Sequence, residues 1–79
     1  MELARIVGRN IARRRRQLDL RQSDVAACAG ITQGYLSDLE RGLEANVGLN
    51  TLSRIARVLD TTVPTLLMDP QEEPAPTAA

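Results

Sequence analysis

The sequence predicts a small all-α domain of five short helices. Three observations carry that reading. Apolar residues recur at spacings of three and four rather than two along most of the chain. Leu, Ala and Arg dominate and Tyr35 is the single aromatic, a composition that suits helices better than strands. Glycines and capping threonines fall between the apolar runs, where helices must start and stop.

The elements follow in order. Leu3, Val7, Ile11 and Leu18 mark one stripe, with Ile6 beside it, and place a first helix over 3–18 before Asp19 interrupts it. A second helix over 22–29 is expected to bury Val25, Ala26 and Ala29. Gly30 reaches positive φ without steric penalty, so it ends that helix and turns the chain. Thr32 is a good N-cap for a third helix over 33–41, which turns Leu36 and Leu39 inward and closes at Gly42. A loop over 43–48 follows. Leu49, Leu52, Ile55, Ala56 and Leu59 then mark a fourth helix. Thr62 reads as an N-cap with Pro64 in the first turn of a short fifth helix over 63–68. The last segment, DPQEEPAPTAA, holds three prolines, acids and small residues. It cannot bury enough surface to fold, so a folded domain over 1–68 is expected to carry a disordered acidic tail over 69–79. No internal repeat is visible.

Seventy-nine residues allow one small domain and leave no room for an effector domain beside it. A chain of this size buries only about 60% of its unfolded surface, so a partner subunit would help. Net charge is zero, but its distribution is uneven. Residues 1–21 hold seven Arg against Glu2 and Asp19; residues 22–68 hold three Arg against five acids; residues 69–79 hold three acids and no base. Positive potential is therefore concentrated in the first helix, where it can steer an anionic partner despite the neutral total. All ten bases are Arg, which grips phosphate in a bidentate way that Lys does not, although genomic composition accounts for the bias equally well. The apolar stretches are short and broken by Arg, so no membrane span is expected, and the start of the chain has no apolar core of the secretory kind. A lone Cys28 forms no internal disulfide, which fits a cytoplasmic location; it reads as a small packing residue of the second helix.

The most informative stretch is 22–42, QSDVAACAGITQGYLSDLERG. Ala26 is small where a second helix must cross closely, Gly30 sits at the reversal, and Val25, Ile31, Leu36 and Leu39 are apolar where the pair must touch. That is the logic of a helix-turn-helix, whose second helix enters the DNA major groove. Together with VGRNIARRRR before it and VGLNTLSRIARVLDTTVPTLL after it, the stretch resembles the lambda-repressor/Cro-like, or Xre-like, family over about Val7 to Met68. The resemblance implies a five-helix DNA-binding domain acting as a transcriptional regulator. It matches the family's Gln at the start of the second helix to Gln22 and its first major-groove residue to Gln33. It matches Arg15 and Glu40 to the family's ion pair between the first and third helices. Three positions depart from the pattern. Val47 stands where Pro is frequent, after a loop one residue longer than usual. Arg21 stands where a Ser or Thr cap is usual, leaving the entry of the second helix to Ser23, Asp24 or water, and Asp19 replaces a common Gly or Asn.

The third helix has a polar side made of Gln33, Gly34, Ser37, Asp38 and Arg41, opposite Leu36 and Leu39. Gln33, Gly34, Ser37 and Asp38 are the candidate base-reading residues. Gln33 can make a bidentate pair with adenine N6 and N7. Gly34 either lets the helix approach DNA closely or merely extends the turn. Ser37 is a groove contact or a neutral surface residue. Asp38 either accepts from cytosine N4 or pairs with Arg41 on its own helix. Candidate backbone contacts are Gln22 at a helix N-terminus, Thr32, Tyr35, Arg41 and Asn46, with burial of the ring as the alternative for Tyr35. Arg13 to Arg16 point nearly all around the first helix and form no single patch; Arg9, Arg13 and Arg16 share a solvated face.

Catalysis has no support in the sequence. There is no His, no plausible metal cluster and no phosphate-binding glycine loop, and a Ser without a nearby base is not a nucleophile. No cofactor or small-molecule ligand is expected. The expected partners are an operator in double-stranded DNA and a second copy of the chain, the third helices of the dimer lying ~34 Å apart. The expected dimer surface is the fifth helix with neighbouring parts of the fourth, through Val63, Leu66, Leu67 and Met68. The rival reading is an antitoxin or interaction module of a toxin–antitoxin or restriction–modification operon that also binds DNA, with a toxin or another protein as partner.

Overall fold

The computed structural model describes residues 3–68. They form α1 (Leu3–Gln17), α2 (Gln22–Ala29), α3 (Gln33–Glu40), α4 (Leu49–Val58) and α5 (Val63–Leu67), with no strand among them. The fold is all-α, with the five helices in the expected order. The tail expected over 69–79 lies outside the described residues.

The helix ends explain themselves locally. α1 closes one residue earlier than periodicity predicts. Leu18 N–H donates back to the Arg14 and Arg15 carbonyls, and Asp19 takes φ +56°, which starts the turn. Gly30 takes φ +73° and, with Ile31, returns N–H groups to the Ala26 and Ala27 carbonyls. Thr32 caps α3 by accepting from the Tyr35 N–H at 3.1 Å. Arg41 is the C-cap of α3 rather than its last residue, and Gly42 at φ +74° completes the stop. Thr62 caps α5 by accepting from the Thr65 N–H at 3.3 Å, with Pro64 in the first turn. Arg21 occupies the N-cap of α2 without a side-chain capping bond; its Nε pairs with Asp24 at 3.1 Å instead.

One side of every helix meets in a single core built on Val7, Ile11, Val25, Leu36, Ile55 and Leu59. α1 packs on α3 and α5, α2 on α3 and α4, and α4 on α5. Three leucines placed on apolar stripes by their spacing are exposed: Leu3 and Leu18 of the first stripe and Leu49 of the fourth. They stand at or beyond helix ends, where the neighbouring helix no longer reaches. Cys28 is also exposed, on the outer side of α2, so it is not the packing residue expected.

α1 holds the rest in two ways. At Gly8 it crosses α3 so closely that an added Cβ would overlap the Leu39 carbonyl oxygen and stand 2.9 Å from that of Glu40. Glycine is required there for space. The second way is polar. The last carbonyls of a helix lack partners within it, and cations are favoured beside them. Buried Asn10 donates from Nδ2 to the Leu66 and Met68 carbonyls, 2.8 Å each, at the end of α5. Arg14 donates from Nε to the Leu59 carbonyl at 2.8 Å and from Nη2 to that of Asp60 at 3.2 Å, at the end of α4.

Candidate nucleic-acid interface

α2, the turn at Gly30 and α3 form the packed helix pair that the sequence implies. α3 is fixed from behind. Leu36 and Leu39 are buried, and the half-buried Tyr35 packs against the core. Its other side is open: Thr32, Gln33, Gly34 and Arg41 are exposed, and Ser37 and Asp38 are half-buried. Of the residues expected to face DNA, Thr32, Gln33, Gly34, Ser37, Asp38 and Arg41 thus share the open side of α3, whereas Gln22 stands at the start of α2 and Tyr35 packs on the core. Exposed Asn46 lies in the loop that follows.

Two alternatives left open by the sequence are narrowed. Asp38 forms no ion pair with Arg41 among the described residues; its backbone carbonyl accepts from the Leu43 N–H at 2.9 Å. The intrahelical pair is therefore set aside. Gly34 lies inside α3, not in the turn, and a Cβ there would meet nothing within 4 Å. Neither backbone conformation nor crowding within the chain calls for glycine at that position.

The end of α3 is anchored by a charged cluster. Arg15 donates from Nε to Glu40 Oε2 at 2.7 Å and from Nη2 to Oε1 at 3.0 Å, and its Nη1 reaches the Leu20 carbonyl at 2.9 Å. Gln22 Nε2 donates to the same Glu40 Oε1 at 2.9 Å. The Arg15 and Glu40 side chains are only 13% and 5% exposed, so the pair is largely withdrawn from water. The hydrogen bond to Glu40 lifts the Arg15 pKa above its ordinary value, with desolvation opposing and the Glu40 charge assisting. The cluster joins α1, the turn after it, the start of α2 and the end of α3.

The sequence points to Gln22 as a phosphate contact, and the structure adds a bond to Glu40. One amide N–H is committed to holding α3, while the carbonyl and the helix N-terminus remain for other partners. No local spacing connects residues 18 apart, so sequence reasoning has no signal for this bond. Asn10 escapes the sequence reading too, yet a signal existed: it lies three residues after Val7, a polar side chain beside the apolar stripe.

The expected dimer residues do not form one exposed patch. Leu66 is 2% exposed and belongs to the core, so it cannot meet another molecule. Val63 and Met68 are half-buried, and Leu67 is exposed. Among the described residues no group of His, Cys, Asp and Glu could hold a metal ion, and no helix is long and apolar enough to cross a membrane.

A five-helix bundle that packs two short helices across a tight turn and leaves the second open on one side defines a helix-turn-helix module. The family model described as Helix-turn-helix matches residues 11–66, and the chain belongs to that family, in its lambda-repressor-like (Xre-like) branch. It is similar to the HTH-type transcriptional regulator SinR of Bacillus subtilis, 34% identical over 67 residues that cover 85% of this chain. The chain spans only 60% of the length of SinR. It is 39% identical over 74 residues to the uncharacterized HTH-type transcriptional regulator y4dJ of Sinorhizobium fredii, covering 94% of this chain and 95% of that one. The structure of SinR in complex with DNA superposes with a TM-score of 0.74 at 35% identity, over 78% of this chain and 98% of that chain. SinR is also known in complex with the SinI protein; that structure superposes at 0.77 with 34% identity, over 90% of this chain and 68% of that one. The restriction-modification controller C.AhdI of Aeromonas hydrophila superposes at 0.75 with 27% identity, over 80% of this chain and 94% of that one. SinR and y4dJ are described as transcriptional regulators and C.AhdI as a restriction-modification controller.

Proposed function

We propose that this chain is a cytoplasmic, sequence-specific regulator that inserts α3 into the major groove of double-stranded DNA and acts as a dimeric repressor on a near-palindromic operator. The observation that carries the reading is the division of α3: Leu36 and Leu39 fully inside, Gln33 and Gly34 outside, with open space before Gly34. Gln33, Gly34, Ser37 and Asp38 read base edges, Asp38 accepting from cytosine N4. Gln22, Thr32, Tyr35, Arg41 and Asn46 hold phosphates and set the register. The pair Arg15–Glu40 fixes the angle at which α3 is presented. The relatives support this reading, SinR having been solved on DNA.

Selection from a pool of random duplexes tests it. Enrichment of two inverted half-sites about one turn apart, ~34 Å between centres, is expected. Failure to enrich any sequence at low ionic strength would sink the proposal. In the selected duplex, Gln33→Ala relaxes one or two base pairs by ~1–3 kcal/mol of discrimination; equal losses on operator and random DNA would remove Gln33 from base reading.

A second reading is an interaction module, such as an antitoxin, that also binds DNA. It is favoured by the complex of SinR with SinI. Undiminished capture of a toxin or other partner encoded beside this gene, by a Gln33→Ala variant that has lost operator discrimination, would support it.

A further inference from the structure

Asn10, Arg13, Arg14 and Gln17 follow one another at spacings of three and four, so they share one face of α1. Arg15 points about 100° away from Arg14 and is committed to Glu40. The shared face, with Thr61 of the turn after α4 and Thr65 of α5, walls a pocket of about 290 Å³. That is roughly ten times the share of a water molecule in the liquid, room for a phosphate or carboxylate group and part of the molecule that carries it. Arg14 and Thr61 are half-buried, while Arg13, Gln17 and Thr65 are exposed, so the pocket opens to solvent. Among the described residues, no Asp or Glu lines it. The Arg14 guanidinium is held in place by the Leu59 and Asp60 carbonyls, which leaves the rest of its N–H donors for another acceptor. Those carbonyls would repel an anion, and Arg14 covers them. Arg13 adds a second positive charge and donates from Nη2 to Asn10 Oδ1 at 3.3 Å. Neither the Gln17 amide nor the Thr61 hydroxyl is engaged by another group among the described residues.

We infer that this pocket binds an oxyanion, either the phosphate of a free solute or a carboxylate of the chain's own segment 69–79. The donor set carries the inference. Guanidinium, amide and hydroxyl groups converge on one cavity that has no carboxylate to balance them. Hydrogen bonds from charged donors to an oxyanion are the strong ones, and the guanidinium fork matches the oxygens of phosphate and carboxylate alike. Because the carbonyls at the end of α4 already fix Arg14, little of its side-chain freedom remains to be lost on binding. The site stands apart from the surface proposed to read DNA, since none of its walls belongs to α2 or α3. Both sources of the anion can reach it. A solute enters from the open side. Asn10, itself a wall of the pocket, holds the Met68 carbonyl at 2.8 Å, so the described chain ends beside the cavity. Asp69, Glu72 and Glu73 follow directly. A tether that short gives a carboxylate an effective concentration of about millimolar.

The test is a titration of inorganic phosphate, at constant ionic strength, into the isotope-labelled full chain and into the same chain carrying Asp69→Asn, Glu72→Gln and Glu73→Gln. Amide resonances of residues 13–17 and 60–66 are expected to move together along one saturable curve. Equal dissociation constants for the two proteins assign the site to a free phosphate. A constant lowered about fivefold or more by the neutral segment, or phosphate binding seen only there, shows that the chain's own carboxylates compete for the pocket. Gln17→Leu with Thr61→Val removes two uncharged donors that hold nothing else in the fold. It is expected to melt like the parent in chloride and to raise the phosphate dissociation constant about tenfold or more. The inference is overturned if the shifts saturate in neither protein, if Arg54 and Arg57 of α4 respond as strongly as the pocket, or if the Leu–Val double variant binds phosphate like the parent. It is also overturned if that variant flattens the salt dependence of duplex binding, because the pocket would then be a contact to the DNA backbone. A chain that binds no duplex sinks the DNA-reading proposal and leaves the phosphate titration to judge the pocket.

Discussion

Gly8→Ala is the most informative single substitution, because two opposite expectations attach to it. Helix propensity alone favours alanine by ~0.5–1 kcal/mol in a helix interior. The crossing with α3 opposes it. The new methyl overlaps the Leu39 carbonyl oxygen and stands 2.9 Å from the Glu40 carbonyl oxygen. Both obstacles are backbone, so no rotamer change relieves them; α3 must retreat by on the order of an ångström. Overpacking of this kind typically costs about 1–3 kcal/mol, and rigid neighbours place Gly8 at the upper end. Subtracting the propensity gain leaves a net loss of about 2 kcal/mol. For a domain of this size, that lowers the thermal midpoint by roughly 8–16 °C. Urea unfolding followed by circular dichroism gives the free energy directly, as a lower transition midpoint at unchanged slope. A midpoint equal to or above that of the parent would show that propensity wins and that the close crossing does not fix α3.

Four further outcomes are expected. Arg15→Ala strands the Glu40 carboxylate, whose side chain is 5% exposed, and should cost about 3–5 kcal/mol in urea unfolding; a loss under 1 kcal/mol would mean that the pair contributes no more than a surface bridge. Since folding raises the Arg15 pKa, its contribution stands in full below the unfolded value and fades only as pH rises through the folded one. Both lie far into the alkaline range, so the parent's dependence on Arg15 is flat in melts between pH 5 and 9. Gly34→Ala should stabilise the free protein by ~0.5–1 kcal/mol, since its methyl meets nothing in the chain, while weakening binding to the selected duplex on the proposed reading; equal or tighter binding would remove Gly34 from the residues proposed to face DNA. Arg41→Ala should weaken binding to all sequences and flatten the log–log salt dependence by about 0.9 for each phosphate no longer neutralised, and an unchanged slope would exclude Arg41 from the backbone-gripping set.

Much of this architecture was legible because local chemistry decides it. Gly30 and Thr32 mark a chain reversal and a cap that neighbouring residues suffice to form, and the structure has both. Periodicity finds the buried side of a helix but not how far along it a neighbour reaches. Leu3 and Leu49 share the spacing of buried residues and are exposed because each begins its helix. Leu66 shows the converse. Apolar spacing made it available for a partner molecule, whereas the bundle consumes it internally. Long-range polar ties were least legible. Gln22 to Glu40 and Arg14 to the Leu59 carbonyl join residues 18 and 45 apart, and one of each pair looks like an ordinary surface side chain. On the reading side, hydropathy separated the faces of α3, but only the structure freed Asp38 from Arg41 and Gly34 from the turn.

The ties of Asn10, Arg14 and Arg15 have a consequence for how the molecule responds to stress. A single rod clasps the far ends of three others, so none of them peels away while the rod stays seated, and once it leaves all three lose their grip together. Loosening any one of the three alone therefore means breaking its clasp on the rod first.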